Sequence, residues 1–202
     1  MRLYESPSPN ARRVHVFMAE KGIDMERVRV DIRKGENLSP EYRARNPIGR
    51  VPVLELDDGT FLAESVAICR YLEHLNPDPC LFGAPGLPAA QVEMWHRRAE
   101  INFFLNVASA FRNITGFFKD RETCVKEWGE VCAKTAADVL PVFDAQLAQS
   151  EYLAGDSFSI ADITLAIAID FARMVKVVTL PEVPNVDRWH KLVASRPSYS
   201  AE

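Results

Sequence analysis

Residues 46–65 read Asn46-Pro47-Ile48-Gly49-Arg50-Val51-Pro52-Val53-Leu54-Glu55-Leu56-Asp57-Asp58-Gly59-Thr60-Phe61-Leu62-Ala63-Glu64-Ser65. Pro47 ends any helix before it, because its ring disfavours the helical conformation of the preceding residue and it brings no backbone donor. Gly49 to Leu56 reads as a strand, Asp57-Asp58-Gly59-Thr60 as its turn, and Phe61-Leu62 as a second strand returning antiparallel. Glu64-Ser65 then leads into a helix carrying Ile68, Leu72 and Leu75, which Asn76-Pro77 stops.

Upstream, Leu3 and Tyr4 open a short strand that Ser6-Pro7-Ser8-Pro9-Asn10 breaks. Val14, Phe17 and Met18 then recur at helical spacing, with Ser8 suited to the N-cap, Pro9 to the first helical position and Gly22 to the end. Val28, Val30 and Ile32 alternate with Arg27, Arg29 and Asp31, the period of a strand with one buried face. Ser39-Pro40-Glu41 can start a short helix that ends before Asn46-Pro47. Strand, helix, strand, short helix, hairpin and helix, with a right-handed crossover between parallel strands one and two, describe a thioredoxin-like layer of sheet and helices over residues 1–77.

Downstream, residues 78–88 hold Pro79, Pro85, Pro88, Gly83 and Gly86 and read as a linker. Residues 89–202 show only the helical period. Ala89 to Ile114 is one long stretch with Trp95, Ala99, Phe103 and Val107 on one face, and Cys124 to Ala148 is another, interrupted or bent at Pro141. Ser159-Ile160-Ala161-Asp162 has the layout of a capping box before a largely apolar, central helix, in which Asp162 fixes a helix end in the core. A last helix follows Pro184-Asn185 and ends at Arg196-Pro197. The expected class is therefore α+β/α two-domain, a thioredoxin-like N-terminal domain followed by an all-α helical domain.

The chain has 202 residues, 24 basic and 28 acidic side chains, a net charge of -4 and 48% hydrophobic residues. That balance does not suit a nucleic acid backbone or an anionic membrane surface as main partner. No apolar run reaches the ~18 residues of a membrane span. MRLYESPSPN lacks the apolar stretch of a secretory signal, so a cytoplasmic location is expected. Cys69, Cys80, Cys124 and Cys132, with His15, His74, His96 and His190, show neither disulfide-scaffold nor metal-ligand spacing; reduced, mostly buried thiols and no metal are expected.

A thioredoxin-like unit joined by a proline-rich linker to an all-helical one resembles the cytosolic glutathione S-transferase family. Asn46-Pro47 with Gly49-Arg50-Val51-Pro52-Val53-Leu54 is similar to the family's segment before its cis-proline, Glu64-Ser65-Val66-Ala67-Ile68 to its γ-glutamyl site, and Ser159-Ile160-Ala161-Asp162 to its helix-capping signature. Ser6-Pro7-Ser8-Pro9-Asn10 resembles the entry of nu-class and related bacterial-type transferases, where a Thr or Ser and an Asn face the glutathione sulfur; this chain carries Ser where the nu pattern usually has Thr. It has no Cys there, as omega- and beta-class relatives do, and no Ser-Ser-Cys entry of the zeta type.

The resemblance implies an enzyme that uses glutathione as co-substrate without a metal, forms a homodimer, serves roles such as detoxification, and acts on a small electrophilic or disulfide substrate. It implies Ser8 and Asn10 as catalytic residues. Asn37 and Arg50 are implied for the glycyl carboxylate, Val51 and Pro52 for strand-like pairing through a cis bond, and Glu64 and Ser65 for the γ-glutamyl end. Cys69, Arg70 and Glu73 would approach a partner subunit. Arg12 and Arg13 read as a solvated helix face, or as a source of positive potential near the thiolate. Of Trp95, Phe103, Phe104, Phe111, Phe117 and Phe118, one or two would reach an apolar substrate and the rest would be core.

A free glutathione thiol titrates at roughly 8.5 to 9, so little of it is thiolate at neutral pH. Neutral donors at a helix N-terminus favour the anion without changing charge themselves. That first step serves transfer to an electrophilic carbon and, as the nu-class resemblance suggests, reduction of a disulfide or peroxide. The rival from another class is a non-catalytic binding or regulatory module of the same fold, for which the chain offers no basic patch.

Overall fold

Ser8 and Pro9 decide where the first helix starts. Ser8 is extended (φ −161°, ψ 155°), its Oγ accepts from the Ala11 amide at 3.2 Å, and Pro9 occupies the first helical position, so α1 spans Pro9–Glu20. The structure is a computed structural model that describes residues 1–200, and these divide into two units, Met1–Cys80 with the segment from Pro197 on, and Leu81–Arg196.

In the first unit, β1 (Arg2–Glu5) pairs in parallel with β2 (Glu26–Arg29) and antiparallel with β3 (Val53–Glu55), which pairs antiparallel with β4 (Phe61–Ala63), giving the order β2-β1-β3-β4. A short α2 (Pro40–Arg45) is capped by Ser39, and α3 (Ser65–Leu75) follows β4. Leu3, Val14, Phe17, Leu54, Ile68 and Leu72 are fully buried, so α1 and α3 close over the sheet. Burying a leucine or phenylalanine of this kind contributes about 1.5–3 kcal/mol.

Three expectations change. The second strand ends at Arg29 rather than running to Ile32: the Val30 amide still reaches the Glu5 carbonyl, but the Ile32 amide turns back to the carbonyl of Val30. The third is only Val53–Glu55: Gly49 takes φ +68°, outside strand geometry, and the Val51-Pro52 bond is cis. Leu75 is 45% exposed, outside the core formed by Ile68 and Leu72.

Lys21 locks this layer together. Its buried ammonium donates to the carbonyls of Asn76, at 2.8 Å, and Pro79, and pairs with Glu73, tying the end of α1 to the end of α3. Glu73 is thereby engaged within the chain and Cys69 is fully buried, so of the three α3 residues expected to approach a partner only Arg70 is exposed. Residues assigned by sequence to the helical domain also return here. In the 3-10 turn Pro197–Ser200, Tyr199 lies under the Arg12 guanidinium, 4.4 Å from its ring centre, and Ser198 donates to Glu20.

The second unit is helical. One long helix runs as α4 (Leu87–Arg97), a π-helical segment (Arg98–Phe104) and α5 (Leu105–Thr115), with the Asn106 amide donating to the carbonyls of Ile101 and Asn102. Trp95, Ala99, Phe103 and Val107 are buried along it as the spacing predicts. α6 (Lys126–Leu147) passes through exposed Pro141 without interruption. α7 (Ile160–Val175) is buried almost along its whole length, and α8 (Pro184–Ala194) completes the unit.

Asp162 is fully buried at the start of α7, where Oδ1 accepts from the Leu153 amide (2.9 Å) and Trp189 Nε1 (3.0 Å), and Oδ2 from the Ser159 amide (3.0 Å) and hydroxyl (2.8 Å). Burial pushes its carboxyl up to about 6 from an ordinary 3.8, with the four donors opposing the rise. The folded chain thus holds this proton more tightly than the unfolded chain. The group's contribution to stability is fullest below pH 3.8 and declines as pH rises through about 6. Asp162→Ala, which strands four donors, is expected to cost about 3–5 kcal/mol in chemical denaturation. For Asp162→Asn, stability measured across this pH range should lack the wild-type decline.

Candidate active site

The strand register determines which loops meet. Tyr4 pairs with Val53 and Val53 with Ala63, so residues 6–8 after β1, residues 51–52 before β3 and residues 64–65 after β4 leave one end of the sheet. Antiparallel pairing of β3 with both neighbours is what gathers Ser8, Asn10, Val51, Pro52, Glu64 and Ser65 there.

The loop to Ser8 is braced by His15 on α1, which pairs with the Glu5 carboxylate at the end of β1. Ser8 is half-buried, and since its oxygen accepts from Ala11 its hydrogen remains available to donate. Asn10 is exposed in the first turn of α1. Capping and donating are therefore compatible roles for Ser8.

Val51 is half-buried and Pro52 buried behind the cis bond. The Arg50 carbonyl accepts from the Tyr42 hydroxyl at 3.0 Å and the Asn46 amide at 2.9 Å, leaving the Arg50 side chain outward. Burial pushes the Tyr42 phenol up to about 12, so it stays a donor. Asn37 is buried and its side-chain amide donates to the Gly49 carbonyl at 2.7 Å. Gly49 packs so closely that a Cβ there would stand 2.8 Å from the Asn37 carbonyl oxygen. Asn37 shapes the turn that presents Arg50 and Val51.

Glu64 is exposed and takes φ 68°, ψ 115°, a left-handed conformation that costs a non-glycine residue roughly 1–3 kcal/mol. β4 on one side and α3 on the other hold it there. Ser65 opens α3 and is buried, and its Oγ accepts from Arg13 Nη1 at 2.9 Å. The reading of Arg12 and Arg13 as a solvated face does not hold: Arg12 is half-buried against Tyr199 and Arg13 is buried against α3. The signal for Arg13 was its place four residues before Phe17, on the apolar stripe of α1. Cys69, one turn into α3, has its thiol pushed up to about 12 by burial, with the Arg13 charge opposing, so it is protonated and unreactive.

In the helical unit, Trp95, Phe103 and Phe104 are core. Phe111 and Phe118 are half-buried and Phe117 is 46% exposed, and Phe104, Phe171, Phe111, Phe117 and Phe118 follow one another ring against ring.

Residues 7–75 match the family model for the glutathione S-transferase N-terminal domain, and residues 125–197 that for the C-terminal domain. Glutathione S-transferase 2 of Saccharomyces cerevisiae is 38% identical over 203 residues, covering 98% of this chain and 87% of the relative. A class Gtt2 glutathione S-transferase of Vibrio parahaemolyticus is 43% identical with a TM-score of 0.87, covering 99% and 96% of the two chains. A glutathione S-transferase domain-containing protein of Marinobacter aquaeolei superposes with a TM-score of 0.95 at 36% identity, covering 99% of this chain and 100% of that one. The chain belongs to the glutathione S-transferase family.

Asn37→Ala leaves the Gly49 carbonyl without its buried donor and is expected to lower stability by about 1–3 kcal/mol. Calorimetric unfolding checks this; a variant as stable as the parent would remove the bracing role.

Proposed function

We propose that this chain is a glutathione transferase in which Ser8 and Asn10 stabilise the glutathione thiolate at the N-terminus of α1. The observation that carries the reading is the Ser8 cap, because an oxygen already accepting from Ala11 directs its own hydrogen away from the helix. Glutathione lies along the end of the sheet. Val51 pairs with its cysteinyl backbone in strand fashion, Ser65 and the first turn of α3 take the γ-glutamyl carboxylate, Glu64 takes the α-ammonium, and Arg50 takes the glycyl carboxylate. Asn37 serves indirectly, through Gly49.

The thiol proton leaves to water, the sulfur attacks an electrophilic carbon, and the leaving group departs with the bonding pair. Lowering the thiol pKa by two units corresponds to about 2.7 kcal/mol. Two charge-assisted hydrogen bonds at about 1.5 kcal/mol each supply that amount. Disulfide or peroxide reduction would start from the same thiolate, and assays of both reactions on one preparation rank them. The functional form is a homodimer.

Titration of the thiolate absorbance of bound glutathione tests the assignment. Ser8→Gly keeps the cap to within a few tenths of a kcal/mol, so its effect isolates the hydroxyl. Ser8→Gly and Asn10→Ala are each expected to raise the bound thiol pKa by about one unit, moving the acid limb of the transfer rate to higher pH. An unchanged pKa in both would sink the assignment.

A further inference from the structure

We infer that Glu5 and His15 are positioning residues for the thiolate site, holding the start of α1 in place against the sheet. This rests on the assignment of Ser8 and Asn10 to the glutathione sulfur. In the proposed binding mode the cysteinyl residue is gripped on two different elements, its backbone by Val51 before β3 and its sulfur by the first turn of α1. A shift of about 1 Å between two such holds can cost about a hundredfold in rate. Glu5 ends β1 one residue after Tyr4, which pairs with Val53, so it lies at the end of the sheet where Val51 and Pro52 enter β3. Its carboxylate pairs with His15 Nε2, about two turns along α1 from Ser8. The contact therefore joins the two elements that hold the ligand.

The surroundings suit such a tie. The two side chains are only 13% and 16% exposed, so solvent and salt screen the contact far less than a surface pair. His15 can present an N–H from Nε2 as imidazole or as imidazolium, so the contact serves in either protonation state. The Glu5 backbone is fixed as well, its carbonyl accepting from the Val30 amide at 2.7 Å. Only Ser6 and Pro7 then separate Glu5 from the Ser8 cap, which makes the intervening turn short and held at both ends. The seven residues from Ser8 to His15 rise about 10 Å along the axis, so His15 acts through the helix and not on the sulfur. Direct action of the Glu5 charge would have the opposite sign, because an anion disfavours a second anion nearby and its removal would lower the thiol pKa.

The test titrates the thiolate absorbance of glutathione bound to wild type, Glu5→Ala, His15→Leu, their double variant and His15→Gln, and measures dissociation constants for S-methylglutathione, which has no thiol to ionise. Glu5→Ala, His15→Leu and the double variant are expected to raise the bound thiol pKa by one common amount of about half a unit or more, while S-methylglutathione binds within about threefold of wild type. His15→Gln, whose amide can donate in place of Nε2, is expected to recover at least half of that shift. An unchanged or lowered pKa in either single variant overturns the inference, including the case where both ligands weaken equally, as a merely structural contact would give. Ser8→Gly and Asn10→Ala are titrated alongside: a shift there without one in His15→Leu sinks the positioning role alone, and no shift there sinks the thiolate assignment beneath it. His15→Ala, measured in case His15→Leu does not fold, is expected to give the same rise, and an unchanged pKa in it overturns the role equally.

Discussion

β3 runs against both of its neighbours, and the first unit is organised around that fact. In a sheet of order β2-β1-β3-β4, the antiparallel pairings bring the exit of β1, the entrance of β3 and the exit of β4 to one end. Two of those exits open helices, α1 and α3, so two positive helix ends and a run of extended backbone face the same region. A peptide with an anionic sulfur and a carboxylate near one end fits that arrangement. A slip of one residue in β3 would turn Val53 and Leu54 to opposite faces and displace Val51 and Pro52 with them.

Buried charge is used in this chain at joints. Lys21 is enclosed by Glu73 and two carbonyls where α1, α3 and the following segment meet, and Asp162 is enclosed by four donors where α7 begins. Arg13 does the same between α1 and α3. Removing Lys21 or Asp162 leaves several opposed dipoles in a low-dielectric interior, which makes those joints specific in geometry.

Local signals made most of the fold legible. Ser8-Pro9, Asn46-Pro47, Asn76-Pro77 and Ser159-Ile160-Ala161-Asp162 each fix a helix boundary through side chains within a few residues, and the structure follows them. What the sequence hid depends on partners distant along the chain. Nothing near Asn37 in the chain announces that its amide reaches the Gly49 carbonyl. Arg12 and Arg13 look equivalent, yet they point about 100° apart on a helix, one toward Tyr199 and the other toward Ser65. The third strand begins only at Val53, after the positive φ of Gly49, and Pro141 sits exposed in a helix that continues past it.

The segment from Pro197 on belongs to the first unit, although the whole helical unit intervenes in the chain. During synthesis the sheet, α1 and α3 therefore emerge from the ribosome well before the turn that Arg12 and Glu20 bind. The helical unit, contiguous from Leu81 to Arg196, has all its residues available earlier than its neighbour does. The order in which the units are translated is the reverse of the order in which they can be finished.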